Sequence, residues 1–303
     1  MLDLCLLGCG GTMPLPDRFL TSLLVSYKGR RLLIDCGEGT QVSMKMENTG
    51  YKNIDAICFT HFHADHITGL PGVLLAIGNA GRTEPLALYG PKGLIEVIKG
   101  LTVITPFLPY ELILKELPIN EGASFQVGEL FLSTLPVEHS LTCIAYHIEV
   151  KRGPVFLPDK AKDLEIPPYY WKYLQRGEEI EVENKRFLPE QVLGPPRKGL
   201  KLGYVTDARP SDALVDFLKD CHLLICEGMY GDDEKLPGAI TYGHMLFSEA
   251  AHLAKKAGVH ELWLTHFSPS MPDPENYLEI ATDIFPNTKI GFDRKSEKLT
   301  FTP

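Results

Sequence analysis

Short apolar segments rich in β-branched and aromatic residues recur along the chain, separated by amphipathic segments. This pattern predicts strands that alternate with helices. In the first half we predict strands over 2–8, 22–27, 31–36, 54–60, 86–89, 112–117, 130–137 and 143–150, with helices over 38–47, 73–77 and 93–101. In the second half we predict strands over 200–206, 222–226, 261–265, 289–292 and 298–302, with helices over 212–219, 247–257 and 273–285. The chain therefore reads as two similar βα halves.

Residues 151–199 interrupt this pattern and are called the arm below. Seven prolines are interleaved with charged residues and with Tyr169-Tyr170-Trp171, which favours neither a long helix nor a series of strands. We predict one domain built from residues 1–150 and 200–303, from which the arm projects as an insertion. The whole chain has a net charge of −9, but residues 151–201 hold 11 Lys and Arg against 8 Asp and Glu. This local excess points weakly to an anionic partner, with a solvated face as the alternative.

Composition bounds the class of protein. A chain of 303 residues that is 44% hydrophobic and 23% charged is ordinary for a soluble globular protein. No apolar run approaches the ~20 residues of a membrane span, and the start reads as a first strand instead of a signal peptide. The seven cysteines are scattered without a Cys-x-x-Cys pair, which favours reduced thiols and a cytoplasmic protein.

The stretch Gly8-Cys9-Gly10-Gly11-Thr12 follows the first strand and raises the question of nucleotide binding. A dinucleotide fingerprint needs a helix start after the glycines, whereas Pro14 and Pro16 predict an extended loop. We therefore expect the glycines to let the backbone pass close to a functional loop.

That loop is His61-Phe62-His63-Ala64-Asp65-His66, between a predicted strand and a predicted helix. Imidazole and carboxylate are ligands that Zn²⁺ accepts, and Mn²⁺ and Fe²⁺ also bind them. An exposed polar loop is the alternative, but chance gives this density of ligands at only ~5%. The spacing suits two ions side by side, each with further ligands from elsewhere.

Three more candidate ligands, His139, Asp207 and His266, stand at the ends of predicted strands. The simplest allotment gives one ion His61, His63 and His139 and the other ion Asp65, His66 and His266, with Asp207 as the bridge. Two ions ~3.5–4 Å apart would suit hydrolysis at phosphorus or at an acyl carbon.

The motif His61-x-His63-x-Asp65-His66 with the distant His139, Asp207 and His266 resembles the metallo-β-lactamase superfamily, and within it the ribonuclease Z family. The narrower likeness extends along the chain and rests on 34–38, 69–72, 89–93, 195–199 and 264–268. It implies a four-layer αββα sandwich, two Zn²⁺ per chain, cleavage of the 3′ trailer from tRNA precursors, and a homodimer.

The resemblance also implies roles for particular residues. Asp65 would accept a proton, while Glu227 and His244 would form a pair in which His244 donates a proton to the leaving 3′-oxygen. The arm would hold pre-tRNA through Lys160, Lys162, Lys172 and Arg176.

Other functions share parts of this pattern. A phosphodiesterase of the same fold could act on a smaller substrate, with the arm used in dimerisation. A catalytically silent RNA-binding protein would not need the complete ligand set. An acyl hydrolase shares the metal loop, but the Glu227 and His244 pair favours phosphate chemistry.

Overall fold

The structure, a computed structural model, describes residues 1–301 and contains two large sheets with helices. In chain order the strands are β1 (Leu2–Gly8), β2 (Ser22–Tyr27), β3 (Arg30–Ile34), β4 (Ile54–Cys58), β5 (Leu86–Gly90), β6 (Leu112–Glu116), β7 (Ser124–Val127), β8 (Leu130–Val137), β9 (Cys143–Arg152), β10 (Ile180–Val182), β11 (Lys185–Phe187), β12 (Arg197–Val205), β13 (Leu223–Glu227), β14 (Leu262–Thr265), β15 (Thr288–Ile290) and β16 (Lys295–Leu299). The α-helices are α1 (Thr40–Met46), α2 (Ala64–Ile67), α3 (Leu70–Asn79), α4 (Leu94–Leu101), α5 (Pro158–Asp163), α6 (Pro168–Gln175), α7 (Asp212–Phe217), α8 (Leu236–Tyr242), α9 (Phe247–Ala257) and α10 (Leu278–Thr282).

Each large sheet combines antiparallel and parallel strands. The first sheet has the order β16-β1-β2-β3-β4-β5-β6 and is parallel from β3 to β6. The second has the order β15-β14-β13-β12-β9-β8-β7 and is parallel from β12 to β15. Parallel strands present their carboxyl ends along one edge, so residues that follow β4, β12, β13 and β14 can meet.

The core lies on both faces of the first sheet because its strands are buried on both sides. On one face, Leu7, Leu33 and Ile57 pack with side chains from α1, α3 and α4. On the other face Leu6 lies beside Gly291, next to the second sheet, where an added Cβ would come within 2.8 Å of the Leu6 side chain. Helices α7 and α9 contact the second sheet.

Most predicted elements are present, and three differences have physical causes. The predicted helix over 273–285 is a 3₁₀ turn, Pro274–Tyr277, followed by α10, because Tyr277 leaves helical geometry (φ −113°, ψ 0°) where its ring rests against Gly231. Strand β7 is short and half polar, and helix α8 has seven residues that begin Leu-Pro-Gly and bury only Ala239, so neither shows a clear hydrophobic period. The predicted last strand over 298–302 is β16, an edge strand with only one large apolar residue; Thr302 lies outside the described residues.

Residues 150–200 form a second compact unit together with Phe301. Helices α5 and α6 and the hairpin β10–β11 surround a small core of its own. The members of this core are Ala161, Ile166, Leu174, Phe187 and Val192, with Phe156, Tyr170, Trp171, Ile180 and Val182 packed against them.

Two further observations bear on the composition arguments. All seven cysteines are free thiols and all are buried. None of the helices within residues 1–301 is long and apolar enough to cross a membrane.

The start of β4, which leads to the histidine loop, is held by a buried arginine. The Arg82 guanidinium donates hydrogen bonds to the carbonyl oxygens of Lys52 (3.0 Å), Ile54 (2.6 Å) and Pro85 (2.7 Å). Its backbone partners lie at the starts of two neighbouring parallel strands, β4 and β5.

We expect Arg82→Ala to lower the free energy of unfolding by about 2–4 kcal/mol, because several buried carbonyl groups lose their donor. Urea denaturation monitored by circular dichroism measures this change. Arg30→Ala is the matched control, since Arg30 is exposed and pairs only with Asp55, so its loss should cost less than about 1 kcal/mol. Equal effects of the two substitutions would contradict an anchoring role for Arg82.

Candidate metal centre and active site

The histidine loop takes its shape from the end of β4 and the first turn of α2. His63 is the residue before α2 and has extended geometry (φ −64°, ψ 151°), whereas Asp65 and His66 lie in the helical turn. This change of backbone direction separates the side chains into two sets. His61 and His66 are fully buried, and Asp65 is nearly so.

One set gathers around His63. The distance from His63 Nδ1 is 2.9 Å to His61 Nε2 and 3.2 Å to His139 Nε2. His139 follows the end of β8, and its Nδ1–H donates to the carbonyl oxygen of Gly243 at 3.0 Å. Because a carbonyl group only accepts, this bond leaves the lone pair of His139 Nε2 facing the cluster.

The other set gathers around His266, which follows β14. Its Nε2 lies 3.1 Å from His66 Nε2 and 3.3 Å from Asp65 Oδ2. His66 Nδ1 is hydrogen bonded to Asp35 Oδ2 at 2.9 Å, which again directs the remaining imidazole nitrogen into the cluster.

Asp207, which follows β12, lies between the two sets. Its Oδ1 is 3.1 Å from both His66 Nε2 and His266 Nε2. Its Oδ2 is 3.6 Å from His61 Nε2 and 3.5 Å from His139 Nε2. Each oxygen therefore faces a different set, which is the arrangement expected of a bridging carboxylate.

The chemistry of these donors fits divalent cations. Within residues 1–301 Asp207 Oδ1 accepts no hydrogen bond, although it is buried, and imidazole nitrogens of neighbouring histidines lie 2.9–3.2 Å apart. A tetrahedral site with bonds of about 2.0–2.1 Å would place its ligand atoms about 3.3 Å apart, close to the separations observed. The groups that could hold a metal ion are His61, His63, His139 and Asp207; Asp65, His66 and His266; and Asp207, His244 and His266.

The protonation states of the first set agree with this interpretation. Burial lowers the pKa of His61, His63 and His139, which favours neutral imidazoles. In the second set burial would lower the pKa of His66, but the carboxylates of Asp207 and Asp35 raise it well above its ordinary value. Burial alone would raise the pKa of Asp207, but the neighbouring His266, His66 and His61 hold it well below its ordinary value. Metal ligands must be neutral imidazoles and ionised carboxylates, so most of the cluster is prepared for cations.

Two ligand positions have unusual backbone geometry. Asp207 (φ 49°) and His266 (φ 57°) both occupy the left-handed region, which non-glycine residues rarely adopt. Each turns the chain sharply at the end of a parallel strand, so that its side chain enters the cluster. Such strain persists at functional sites when the surroundings enforce it.

Asp35 is a supporting residue whose role the sequence did not reveal. It follows β3, is fully buried and also has a positive φ of 57°. Besides His66, its carboxylate accepts hydrogen bonds from the backbone N–H of Thr60 (2.8 Å) and from the Thr60 hydroxyl. Its place at a strand end, like the ligands, was the available signal.

The glycine-rich loop does pass close to the cluster, as predicted. At Gly11 an added Cβ would lie only 2.7 Å from His266 Cε1. The backbone N–H of Thr12 donates to Asp65 Oδ2 at 2.6 Å. Asp293 fixes the other end of this loop, since its carboxylate accepts from the N–H of Cys9 (3.1 Å) and of Phe19 (2.6 Å).

Glu227 and His244 form a buried pair beside the cluster. Glu227 is the last residue of β13, and its Oε2 lies 3.1 Å from His244 Nδ1, while its Oε1 accepts from the backbone N–H of Ala208 at 2.6 Å. Burial acts to lower the pKa of His244, but the charge and hydrogen bond of Glu227 raise it to about 9. The hydrogen bond to Glu227 therefore favours the protonated ring of His244, which has a second N–H to donate.

A cavity of about 590 Å³ opens over these groups. Its lining includes Asp65, Asp207, His244 and two tyrosines, Tyr230 and Tyr242. It is large enough for one or two nucleotides next to the candidate ligands, with aromatic rings available for stacking.

The predicted substrate-binding residues of the arm belong to the second unit. Lys160 and Lys162 lie on α5, Lys172 lies on α6, and Arg176 follows α6; all are exposed. Lys162 pairs with Asp159 at 3.0 Å. The Lys172 ammonium lies 4.8 Å and 4.9 Å from the ring centres of Tyr169 and Tyr173.

Comparison with solved structures shows the fold. Human tRNase Z, short form, has a TM-score of 0.71 at 22% identity and covers 99% of this chain and 100% of that one. YhfI of Bacillus subtilis, a metallo-β-lactamase fold protein, has a TM-score of 0.70 at 20% identity and covers 98% of each chain. The predicted metallo-β-lactamase αββα sandwich is confirmed.

Comparison of sequences shows the family. A family model described as Anti-Pycsar protein Apyc1 matches residues 2–162. Ribonuclease Z of Clostridium kluyveri is 55% identical over 301 residues, which cover 99% of each chain. The predicted resemblance is thereby confirmed: this chain belongs to the ribonuclease Z family, and over residues 2–162 to the family that the Apyc1 model describes.

Proposed function

We propose that this protein is a zinc-dependent endoribonuclease that removes the 3′ trailer from tRNA precursors and leaves a 3′-hydroxyl. Asp207 carries this proposal, because its two oxygens face two separate sets of candidate ligands beside the His244 ring. A two-metal site next to a proton donor is one established arrangement for phosphodiester hydrolysis. Membership of the ribonuclease Z family supports the RNA substrate.

The proposed cations are two Zn²⁺ per chain. His61, His63 and His139 would hold one ion, Asp65, His66 and His266 would hold the other, and Asp207 would bridge them. Three imidazoles on the first site favour zinc, while the carboxylates also accept Mn²⁺ or Fe²⁺. When bound, the cations would supply Lewis-acid stabilisation of negative charge on the phosphate and lower the pKa of water.

The residues of the chain account for the proton transfers. As water attacks phosphorus, Asp65 accepts a proton; its carboxylate is ionised because His266 and His66 outweigh the effect of burial and hold its pKa well below the ordinary value. The bond between phosphorus and the 3′-oxygen breaks, and His244 donates its proton to that oxygen. Glu227 orients the ring through Nδ1. The products are a tRNA with a 3′-hydroxyl and a trailer with a 5′-phosphate.

The arm would hold the tRNA body. Tyr169, Lys172 and Tyr173 lie on one face of α6 at helical spacing, with Lys172 against both rings. Tyr170, Trp171 and Leu174 instead pack in the arm's own core. The exposed face thus combines a cation with aromatic rings, which suits phosphate and base contacts. Lys160, Lys162 and Arg176 would add positive charge.

The alternative from the sequence is hydrolysis of a smaller phosphodiester. The cavity would admit such a substrate, so the two functions differ in whether the arm contributes to binding.

The homodimer implied by the family and a cytoplasmic location belong to this proposal as well; seven reduced thiols support a reducing compartment. Sedimentation of the purified protein tests the dimer.

Purified protein should cut a pre-tRNA transcript at the start of the trailer, and chelator should abolish the cut. Asp207→Ala should bind less than half of the wild-type metal and lose activity by at least about 10³-fold, since the bridging ligand is gone. Metal analysis by mass spectrometry and single-turnover cleavage measure both quantities. Cleavage by metal-free protein would contradict the proposed chemistry.

His244→Ala should keep its metal content but cleave pre-tRNA about 10²–10⁴-fold more slowly, because it lacks the proton donor for the leaving oxygen. Single-turnover rates at saturating enzyme separate this loss from weaker binding. His252→Ala is the matched control, since His252 lies outside the cluster and should show the wild-type rate. A wild-type rate for His244→Ala would remove it from the catalytic set.

The double substitution Tyr169→Ala and Lys172→Ala should raise the KM for pre-tRNA about 10-fold through lost stacking and phosphate contact, with kcat unchanged. Hydrolysis of bis(p-nitrophenyl) phosphate should not change, because this substrate is too small to contact the arm. Lys185→Ala, which removes one exposed charge from β11, controls for net charge. Equal loss on both substrates would mean that the arm has a structural role only.

A further inference from the structure

Three separate hydrogen-bond contacts hold the short segment Gly243-His244. It follows α8, and Gly243 has a positive φ of 73°. The Gly243 carbonyl accepts from His139 Nδ1, and the His244 ring is bonded to Glu227. The His244 carbonyl is a third anchoring point, and it accepts a hydrogen bond from the Arg209 guanidinium.

Arg209 connects this segment to the bridging carboxylate. It stands two residues after Asp207, and its backbone N–H donates to the carbonyl of Glu138 at 3.0 Å, next to the candidate ligand His139. Its side chain is only 14% exposed. Arg209 therefore lies in the loop that carries Asp207, and its side chain reaches the main chain of His244.

Glu249 fixes the guanidinium in this position. Arg209 Nη1 donates to Glu249 Oε2 at 2.8 Å and Nη2 donates to Oε1 at 2.5 Å, a bidentate pair. Glu249 Oε2 also accepts from the N–H of Leu246 at 3.0 Å, at the start of α9. Because both Nη atoms of the planar guanidinium are bonded to Glu249, the Arg209 side chain has little conformational freedom. Its hydrogen bond therefore fixes the position of the His244 carbonyl.

We propose that Arg209 is a positioning residue for the proton transfer: it holds the His244 main chain at the place from which the His244 ring can reach the leaving oxygen. This inference rests on the proposed function. Glu227 orients the ring, whereas Arg209 fixes the backbone from which the ring extends, so the two residues constrain different degrees of freedom.

The contacts predict a selective defect. The hydrogen bonds of the guanidinium go to His244 and Glu249, and neither contact involves the side chain of a proposed metal ligand. Loss of Arg209 should therefore leave metal binding intact and slow only the step that needs a proton. The 3′-oxygen of RNA is a poor leaving group and needs that proton, whereas p-nitrophenolate is stable as an anion and does not.

Arg209→Ala should therefore lower kcat for pre-tRNA about 10–100-fold, since a displacement near 1 Å costs about that much. Its KM, its metal content and its rate on bis(p-nitrophenyl) phosphate should stay within about 3-fold of the wild-type values. Arg209→Lys should give an intermediate loss, because an ammonium keeps the charge but cannot form the bidentate contact. Arg30→Ala, which breaks an exposed Arg–Asp pair elsewhere, is the matched control and should behave as wild type.

The double variant with His244→Ala separates positioning from other effects. If Arg209 acts through His244, Arg209→Ala in the His244→Ala background should not slow pre-tRNA cleavage further. Equal losses on both substrates together with lost metal, or additive losses in the double variant, would overturn the inference. If Arg209→Ala fails to fold, Glu249→Gln tests the same anchor; it should show the same substrate selectivity, and an equal loss on both substrates would again overturn the inference.

The test also separates this inference from the proposed function. If His244→Ala slows both substrates equally, the assignment of His244 as the acid is wrong, and the role of Arg209 is overturned with it. If His244→Ala slows the cleavage of pre-tRNA selectively but Arg209→Ala does not, the assignment of His244 as the acid is retained. Only the positioning role of Arg209 is then overturned.

Discussion

Seven imidazole and carboxylate side chains direct their lone pairs at one another inside a site that excludes most water. Imidazole nitrogens of neighbouring histidines lie near 3 Å from one another, the separation at which one cation could bind several of them at once. The rest of the fold maintains this arrangement. Positive-φ residues follow two parallel strands, the absence of a side chain at Gly11 leaves room for His266, and the buried carboxylate of Asp35 orients His66.

This constraint separates what the sequence could predict from what it could not. The residues of the cluster could be recognised in the sequence because they are rare residue types at the polar ends of apolar strands. Their strands belong to two different sheets, which the sequence did not reveal. Asp35, Thr12 and Arg209 act through hydrogen bonds to residues far away along the chain, some of them to backbone atoms, and such contacts leave no periodic signal. The left-handed geometry of Asp207 and His266 is invisible for the same reason.

Secondary structure was predicted best where the apolar pattern is strong and turn residues bound it. Helix α9 was predicted with the boundaries it has, because its apolar stripe and the glycine after it agree. Pattern failed for β7, α8 and β16, whose positions depend on neighbours already in place. Of these, α8 matters most for function, because Gly243 at its end starts the turn that presents His244.

The pairing of β16 with β1 has a consequence for the newly made protein. Residues 293–299 leave the ribosome after almost all of the other described residues, yet Asp293 fixes Cys9 and Phe19, and this loop donates the Thr12 N–H to Asp65. Until then the glycine-rich loop lacks the anchor that holds it against Asp65. The contacts around Asp65 are thus completed by a segment nearly 230 residues away along the chain, which makes this part of the site dependent on long-range folding.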